Sequence, residues 1–377
     1  MKEKKCHIAG MLFHPPNLST VDETILKLFP YLKLSYPFIS SINKKRILLH
    51  APSFKLFHLD NIFPKTSLRV GLVGLMLPML PEQIVSEDKK IIQEKIIRLI
   101  YKAHRIGVKL VTLGSFTSII TDQGKDIVNK VPISITSGNT YTAALCLKSI
   151  FKVCDKVGIN IDTIKLGIIG ATGDIGSICS RILARHVKNV ILCSRGIEKE
   201  TKFISEIRKN AKEEPLIFSN AGEAAKKSDI IICATSSFNV LFHSNDVKPG
   251  TIICDLSVPP NVGSNIINSR KDIIVFEGGR ASIPSYDSIS NETWKTLFPY
   301  NSVYGCLAEA LVLICAKRIE NYSIGRGTIT EDKINEIYNL GLKYGFDIAD
   351  FTYLNYAYTD KDFQNIREIR SNHVDNC

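Results

Sequence analysis

The most regular pattern in the chain is an alternation of short, wholly apolar runs with longer segments whose apolar residues recur at helical spacing. A helix is predicted from Asp174 to about Leu183, and another over 204–212. Apolar runs typical of buried strands lie at 165–169, 189–193, 216–218, 229–234, 251–255 and 273–276. Such strands, alternating with helices, are typical of parallel sheets covered on both faces. The predicted fold class is therefore α/β, with a doubly wound, Rossmann-type parallel sheet.

An earlier part of the chain shows the same alternation with a second set of elements. Residues 69–77 are predicted to form a buried strand, and residues 108–113 another. Between them, an apolar stripe over 91–100 indicates a helix that Ser86 caps and Gly107 ends. The N-terminal part of the chain is therefore predicted to be an α/β domain of its own.

Three glycines, Gly170, Gly173 and Gly176, join the strand at 165–169 to the helix that follows it. A glycine turn of this kind leaves backbone N–H groups at the positive end of a helix dipole, where a pyrophosphate can bind. The G-x-x-G-x-x-G spacing departs from the commoner dinucleotide fingerprint, and a purely structural turn is the alternative. The residues of this turn that are predicted to bind the cofactor are Gly170, Thr172, Gly173, Asp174, Ile175 and Gly176.

Residues at the ends of later strands indicate which dinucleotide binds. Ser194 and Arg195 follow the strand at 189–193, where an NAD-binding protein usually has an acidic residue for the ribose 2′-hydroxyl. A hydroxyl and a guanidinium suit a 2′-phosphate instead, so the pattern favours NADPH over NADH. The alternative is a surface arginine without a ligand. Three small residues after a later strand are predicted to line the same cofactor cleft, namely Ala234, Thr235 and Ser236.

Two segments rich in hydroxyl side chains, 113–120 and 134–143, lie where a predicted strand ends or a predicted helix begins. Loops of this composition can bind a carbonyl or phosphate group through N–H and O–H donors, although most of them are helix caps and turns. The residues predicted to contact a substrate are Ser115, Phe116, Gly138, Asn139 and Thr140.

A cysteine near the start of a late helix is the candidate nucleophile. The helix is predicted to begin near Ser302, which places Cys306 in about its first turn, beside Gly305. The unpaired N–H groups and the dipole of a helix N-terminus favour a thiolate and lower the pKa of the thiol. The alternative is a core cysteine, as we expect for Cys315 on the same helix. Glu309 is either a proton-transfer partner or a solvated or paired helix carboxylate.

Composition and charge narrow the class of protein. The ten cysteines among 377 residues include no C-x-x-C pair and no Cys/His cluster at metal-ligand spacing, which predicts a reducing, cytoplasmic location and no metal site. The net charge of +11 is spread widely, without a basic run interleaved with aromatics, so we expect no nucleic-acid partner. The longest apolar stretch, 70–80, is about half a membrane span, so we expect no integral membrane segment.

Five segments occur in a characteristic order: L-G-S-F-T-S-I-I at 113–120, G-N-T-Y-T at 138–142, G-A-T-G-D-I-G-S at 170–177, C-L-A-E-A at 306–310 and G-R-G-T-I-T at 325–330. Together they resemble the cyanobacterial-type long-chain acyl-[acyl-carrier-protein] reductases. The resemblance covers about residues 68–350 and is poor over 1–65. It implies reduction of a fatty acyl thioester to an aldehyde by NADPH, through an acyl group on a cysteine. By position, that cysteine corresponds to Cys306.

The hypothesis that follows is an acyl-thioester reductase whose acyl donor is bound to an acyl carrier protein or to coenzyme A. Two alternatives are kept. One is a non-covalent Rossmann oxidoreductase of the shikimate dehydrogenase or glutamyl-tRNA reductase kind, and the other is a non-enzymatic NADPH-binding protein. The sequence leaves the acyl chain length, the carrier and the oligomeric state open.

On this interpretation the chain has four parts. An N-terminal α/β substrate-binding domain is predicted over 1–160, and an NADPH-binding Rossmann domain over 161–290. A C-terminal helical segment over 291–355 carries Cys306. Residues 356–377 turn polar and charged, which predicts a flexible tail.

Overall fold

Two sheets built mainly from parallel strands organise the protein. The computed structural model describes residues 7–28, 39–63, 69–237, 239–263, 266, 269–354 and 356–374. The chain divides into two compact units. Unit 1 consists of residues 1–138, 283–299 and 306–328, and unit 2 of residues 139–282, 300–305 and 329–377.

The first sheet belongs to unit 1. Its strands are β1 (His7–Phe13), β2 (Phe54–Leu59), β3 (Val70–Met76), β4 (Val108–Thr112) and β5 (Ser134–Thr136). They lie in the order β2-β3-β1-β4-β5, in which β2 is antiparallel to β3 and all other neighbours are parallel. The helices of this part are α1 (Leu18–Leu28), α2 (Ser41–His50), α3 (Pro81–Ser86), α4 (Lys89–Arg105) and α5 (Phe116–Ile120).

The second sheet belongs to unit 2, which begins with helix α6 (Asn139–Val157). Its strands and helices alternate as β6 (Lys165–Ile169), α7 (Asp174–Leu183), β7 (Asn189–Cys193), α8 (Thr201–Asn210), β8 (Leu216–Phe218), α9 (Ala221–Lys227), β9 (Ile230–Cys233), β10 (Ile252–Asp255) and β11 (Ile274–Glu277). All six strands are parallel, in the order β11-β10-β9-β6-β7-β8. The order reverses direction at β6 and β9, as in a doubly wound Rossmann sheet, and ligands bind such sheets at that point.

The remaining elements are short strands and helices. They are β12 (Arg280–Ser282), α10 (Glu292–Leu297), β13 (Val303–Tyr304), α11 (Gly305–Cys315), α12 (Glu331–Lys343), β14 (Asp347–Ile348), β15 (Thr352–Tyr353), β16 (Tyr356–Ala357) and α13 (Asp360–Val374). Strands β13, β12 and β14 form one small antiparallel sheet, and β15 pairs with β16.

Each sheet has an apolar core of its own. In unit 1, the stripe on α4 that includes Ile92 and Ile96 is fully buried in one cluster with Val73 and Val111 of the sheet. In unit 2, the central strand β9 is buried along its whole length. A strand that is buried on both faces of its sheet has apolar residues at every position, which explains the continuous apolar runs in the sequence.

Two predicted helix starts are wrong. Ser86 ends the short helix α3, and Asp88 caps α4 by accepting hydrogen bonds from the N–H groups of Lys90 at 2.7 Å and Ile91 at 3.3 Å. The later helix, α11, begins at Gly305 rather than near Ser302. The residues just before it form strand β13, because Tyr304 pairs with Arg280 of β12.

The segment predicted to be a flexible tail contains helix α13 in unit 2. Phe363 and Ile366 are buried, which gives this helix an apolar anchor. Arg367 donates hydrogen bonds to the carbonyl of Lys156 at 2.8 Å and to that of Val157 at 3.1 Å, at the end of α6. The predicted domain boundaries at 160/161 and 290/291 stay predictions. Helix α6, which comes before the first of these boundaries, is grouped with unit 2.

Candidate active site

The glycine loop of unit 2 has the geometry expected of a pyrophosphate-binding turn. Gly170 follows β6 with a φ of +89°, and its N–H donates to the carbonyl of Cys193 at 2.8 Å. A Cβ at Gly170 would overlap the carbonyl of Ala234, and a Cβ at Gly176 would overlap the carbonyl of Gly170. Only glycine fits these two positions, because backbones approach each other too closely for a side chain.

Helix α7 begins directly after this turn, with Gly173 as its N-cap. Gly173 makes no side-chain capping bond, so backbone groups alone form this end of the helix. Asp174 lies in the first turn, where the helix dipole stabilises a carboxylate. The side-chain amide of Asn139 donates to Asp174 at 2.8 Å. Asn139, predicted to contact a substrate, therefore lies beside a predicted cofactor residue of unit 2.

The residues predicted to contact a 2′-phosphate lie together at the end of β7. The hydroxyls of Thr172 and Ser194 are 2.6 Å apart, so the glycine loop and the end of β7 present two hydroxyls side by side. Arg195 is exposed and makes no hydrogen bond or ion pair within the part of the chain that the structure describes. Two hydroxyls and an unpaired guanidinium form a donor set that suits a phosphate monoester.

The predicted cleft residues Ala234, Thr235 and Ser236 follow β9 at the carboxyl edge of the same sheet. The N–H of Ala234 donates to the carbonyl of Ile169 at 2.8 Å, next to the glycine loop. The hydroxyl of Thr235 donates to Asn261 Oδ1 at 2.9 Å, while Ser236 is exposed. These residues therefore lie at the edge where a Rossmann sheet binds its ligand.

A buried carboxylate that sequence reasoning missed fixes the neighbouring loop after β10. Asp255 accepts hydrogen bonds from the N–H groups of Ser257 at 3.0 Å and Asn261 at 2.8 Å, and from the Tyr353 hydroxyl at 3.0 Å. Burial raises the pKa of Asp255, and these donors act against that shift. Because Asn261 also binds Thr235, Asp255 holds this loop beside the predicted cofactor residues.

Taken together, the residues of unit 2 fit a nicotinamide dinucleotide. The loop from Gly170 to Gly176 is a cradle that Cβ atoms would fill, and it leads into the N-terminus of α7. The hydroxyls of Thr172 and Ser194, with the exposed guanidinium of Arg195, lie where the adenosine ribose of such a ligand is bound in this fold.

Cys306 lies in unit 1, in the first turn of α11, as predicted. Among the eight cysteines that the structure describes, it is the one that is not buried. Gly138 lies directly against it, with a φ of +77°, and a Cβ at Gly138 would overlap the Cα and Cβ of Cys306. Cys315 is a core cysteine, as expected, and burial raises its pKa to about 12. Cys306 is therefore the described thiol best placed to react.

The carboxylate of Glu309 is neither solvated nor exposed, since the residue is 0% exposed in unit 1. It accepts a hydrogen bond from the Thr136 hydroxyl and another, at 2.8 Å, from the Ser323 hydroxyl. Sequence reasoning did not single out Thr136, Ser137 or Ser323. The only signal was the hydroxyl-rich composition of the segment that contains the first two.

The other predicted substrate residues of unit 1 follow β4. Ser115 has a φ of +45°, and Phe116 is 1% exposed in the core of the unit. The Phe116 ring lies 5.7 Å from the ring of His14, which follows β1. Burial lowers the pKa of His14 to about 4, and its Nε2 has no hydrogen-bond partner among the described residues. His14 is therefore neutral at neutral pH, and sequence reasoning missed it.

The five predicted substrate residues are thus divided between the units. Ser115, Phe116 and Gly138 belong to unit 1 with Cys306, whereas Asn139 and Thr140 are the first residues of α6 in unit 2. The structure brings Gly138 to Cys306, and Asn139 to Asp174. The roles of these residues toward a substrate stay predictions.

Metal-ligand clusters and membrane-spanning helices are both absent from the residues that the structure describes. These residues contain no cluster of three or more His, Cys, Asp or Glu side chains arranged as metal ligands. In the same part of the chain, every helix is too short or too polar to cross a membrane.

Comparison with known proteins gives one match to a family, shikimate / quinate 5-dehydrogenase, over residues 152–277. Among curated proteins, the aminotransferase PigE of Serratia sp. is 26% identical over 277 residues, which cover 73% of this chain and 32% of PigE. The long-chain acyl-[acyl-carrier-protein] reductase of Synechococcus elongatus is 27% identical over 285 residues, covering 71% of this chain and 79% of that protein. The chain thus spans about a third of PigE.

Among solved structures, the shikimate 5-dehydrogenase of Listeria monocytogenes, in complex with shikimate and NAD, is 12% identical with a TM-score of 0.34. That alignment covers 88% of this chain and 96% of the dehydrogenase. The strand order of unit 2 and the family match over 152–277 confirm the predicted fold class. The family match and the sequence relatives support a Rossmann-type oxidoreductase that uses a nicotinamide cofactor, NADP(H).

Proposed function

We propose that this protein reduces an acyl thioester, bound to an acyl carrier protein or to coenzyme A, to an aldehyde with NADPH through an acyl group on Cys306. The observation that carries the proposal is the position of Cys306. It is the one described cysteine that is not buried, it lies in the first turn of a helix, and Gly138 packs closely against its Cα and Cβ. The similarity to an acyl-[acyl-carrier-protein] reductase over 71% of the chain supports the choice of substrate.

In the first half of the reaction, the Cys306 thiolate attacks the acyl carbonyl. A new carbon–sulfur bond forms, the bond to the carrier sulfur breaks, and the carrier thiolate leaves and takes up a proton. Exchange between two thioesters is nearly isoenergetic, so the gain is positional, because the acyl group is then held on the protein. The oxyanion that forms during the attack would be stabilised by hydrogen-bond donors close to Cys306.

In the second half, the thioester on Cys306 is reduced. NADPH, when bound, supplies the hydride for this step. Gly170, Gly173 and Gly176 hold its pyrophosphate, while Ser194 and Arg195 bind its 2′-phosphate. Cys306 then leaves as a thiolate when the hemithioacetal collapses, which releases the aldehyde and returns the residue to its starting state.

The test is intact-protein mass spectrometry after mixing with acyl thioesters of several chain lengths, without NADPH. We compare wild type with Cys306→Ser and with Cys315→Ser, a matched control on the same helix. Wild type and Cys315→Ser should gain the mass of one acyl group, whereas Cys306→Ser should not. Turnover of Cys306→Ser should fall roughly a thousandfold or more, because the nucleophile is lost. NADPH binding should be unchanged.

A second candidate is a non-covalent oxidoreductase that acts on a hydroxyl or carbonyl group. The match to shikimate / quinate 5-dehydrogenase over residues 152–277 favours it, but that match covers the dinucleotide-binding region and not Cys306. The same experiment separates the candidates. If wild type binds NADPH but gains no acyl group from any donor, the covalent route is rejected and the second candidate is favoured.

A further inference from the structure

Glu309 lies one helical turn after Cys306 on α11, and it is fully buried in unit 1. A buried carboxylate is costly unless hydrogen bonds satisfy it, so its partners are informative. Two of them are side-chain hydroxyls, those of Thr136 and Ser323, and both donate to the same carboxylate oxygen. The two donors come from segments far apart in the chain, so this one oxygen joins three segments of unit 1.

The first partner, Thr136, connects the carboxylate to the turn beside the nucleophile. While its hydroxyl donates to Glu309, its oxygen accepts the N–H of Gly138 at 3.1 Å. Gly138 in turn lies against the backbone of Cys306. The contacts therefore form a closed ring, from Cys306 along the helix to Glu309, and back through Thr136 and Gly138.

The second partner, Ser323, reaches the same turn by another route. Its hydroxyl donates to Glu309 at 2.8 Å, and its carbonyl accepts the Ser137 hydroxyl at 2.6 Å. Nearby, the N–H of Tyr322 donates to the carbonyl of Ile135 at 3.1 Å. Both routes end in residues 135–138, so the carboxylate holds this turn from two sides.

We propose that Glu309 is a positioning residue for Cys306, which it serves by fixing the turn at residues 136–138 against the start of α11. It acts through Thr136 and Ser323, not by exchanging protons with a substrate. The inference rests on the proposed function in that Cys306 is taken to be the nucleophile. It adds that the geometry of the nucleophile depends on hydrogen bonds to a carboxylate oxygen.

The test compares variants that remove these hydrogen bonds with variants that keep them. Glu309→Ala removes the acceptor, and Thr136→Val removes one donor without changing side-chain volume much. Glu309→Gln keeps an acceptor oxygen without the charge, and Thr136→Ser keeps the hydroxyl. The measurement is the rate at which iodoacetamide alkylates Cys306 as a function of pH, resolved by peptide mass spectrometry, because this reagent reacts with the thiolate.

We expect Glu309→Ala and Thr136→Val to slow alkylation of Cys306 at pH 7 by about tenfold. Thr136→Val, which leaves the charge of Glu309 in place, should also move the midpoint of the pH profile upward by roughly one unit. The loosened turn at residues 136–138 no longer fixes the surroundings of the thiolate at the start of α11. Glu309→Gln and Thr136→Ser should stay within about twofold of wild type at pH 7. Cys315, buried on the same helix, is the internal control and should stay unreactive in every variant whose unit 1 remains folded.

Two results would overturn the inference. One is an unchanged pH profile of Cys306 in both Glu309→Ala and Thr136→Val. The other is a loss in Glu309→Gln as large as that in Glu309→Ala, which would assign the effect to the charge. A reactive Cys315 in Glu309→Ala would mean that unit 1 has unfolded in that variant. The inference then depends on Thr136→Val and Thr136→Ser, and equal alkylation rates of Cys306 in these two would overturn it.

Alkylation requires no acyl thioester, so this experiment can succeed where the proposed function fails. Suppose that the wild type is never acylated but that alkylation of Cys306 in the Glu309 and Thr136 variants changes as expected. The acyl-enzyme would then be rejected, and Glu309 would still be the residue that positions the thiol.

Discussion

The two units hold their functional residues by different means. In unit 2, the glycine loop is shaped by backbone alone, with Gly170 and Gly176 placed where main-chain atoms of neighbouring segments approach closely. In unit 1, Cys306 is held by a network of side chains around the buried carboxylate of Glu309. The two sites share one feature, a glycine at the closest backbone contact. Gly138 lies against the backbone of Cys306, as Gly176 lies against the carbonyl of Gly170.

Because of this difference, the two sites should respond differently to substitutions. A backbone site depends on the absence of a Cβ at a few positions and is indifferent to most side chains around it. A side-chain network depends on each member, because a buried hydrogen-bonding group that loses its partner costs about 1–3 kcal/mol. If the sites are independent, damage to one should leave the chemistry of the other intact, and three substitutions test this expectation.

The largest effect is expected for Gly138→Ala. The new methyl group would overlap Cys306, so the cysteine or the turn must move. A displacement of about 1 Å at a reacting atom can cost a hundredfold in rate, and we expect a loss of that order in acylation of Cys306. The rate of acyl-adduct formation measures it, and NADPH binding by unit 2 should be unchanged.

The matched control for this variant is Gly327→Ala. Gly327 also lies in unit 1 with a positive φ, +72°, but a Cβ there would meet no atom within 4 Å. Both variants carry the same backbone strain, of about 1–2 kcal/mol, and only Gly138→Ala adds the clash. Equal acylation rates in the two variants would contradict the close contact between Gly138 and Cys306.

The reciprocal substitution is Gly176→Ala. Its methyl group would overlap the carbonyl of Gly170, which forces α7 away from the glycine loop. We expect the free energy of unfolding to fall by about 1–3 kcal/mol and the affinity for NADPH to fall with it. Urea denaturation and a fluorescence titration with NADPH measure these changes. Alkylation of Cys306 should keep its wild-type rate, and a slower rate would show that the sites are coupled.

The smallest effect is expected for Arg195→Ala, which removes a side chain and leaves the backbone cradle in place. The affinity for NADPH should fall about tenfold and that for NADH should hardly change, because only NADPH carries the phosphate that the guanidinium would contact. Arg208→Ala is the control, since Arg208 is a surface arginine already paired with Glu214. Equal losses for the two cofactors in Arg195→Ala would reject the 2′-phosphate assignment.

Most of the fold of unit 2 could be predicted from the sequence, because its signals are local. Each buried strand is an unbroken apolar run, and the glycines that shape the loop lie within seven residues of one another. The helix starts were less predictable. Asp88 rather than Ser86 caps α4, because either side chain has the chemistry to cap a helix and only the course of the chain decides between them.

The site in unit 1 could be predicted only in part. Cys306 and Gly138 were singled out from their own short segments, but their contact joins residues 168 positions apart. Thr136 and Ser323 were missed for the same reason, since a hydroxyl gives no signal in sequence that a distant carboxylate needs it. Glu309 was predicted to be either a proton-transfer partner or a solvated or paired helix carboxylate, and its complete burial against those hydroxyls is what the sequence could not reveal.

The contact between Arg367 and the end of α6 has a consequence for synthesis of the protein. The carbonyls of Lys156 and Val157 leave the ribosome long before the arginine that caps them, since 211 positions separate Lys156 from Arg367. Unit 1 likewise needs residues beyond 306 to supply Glu309 and Ser323. A nascent chain arrested near residue 280 should therefore hold neither unit in finished form. Unit 1 should be completed once residues up to 328 have been made, and unit 2 only after the last helix.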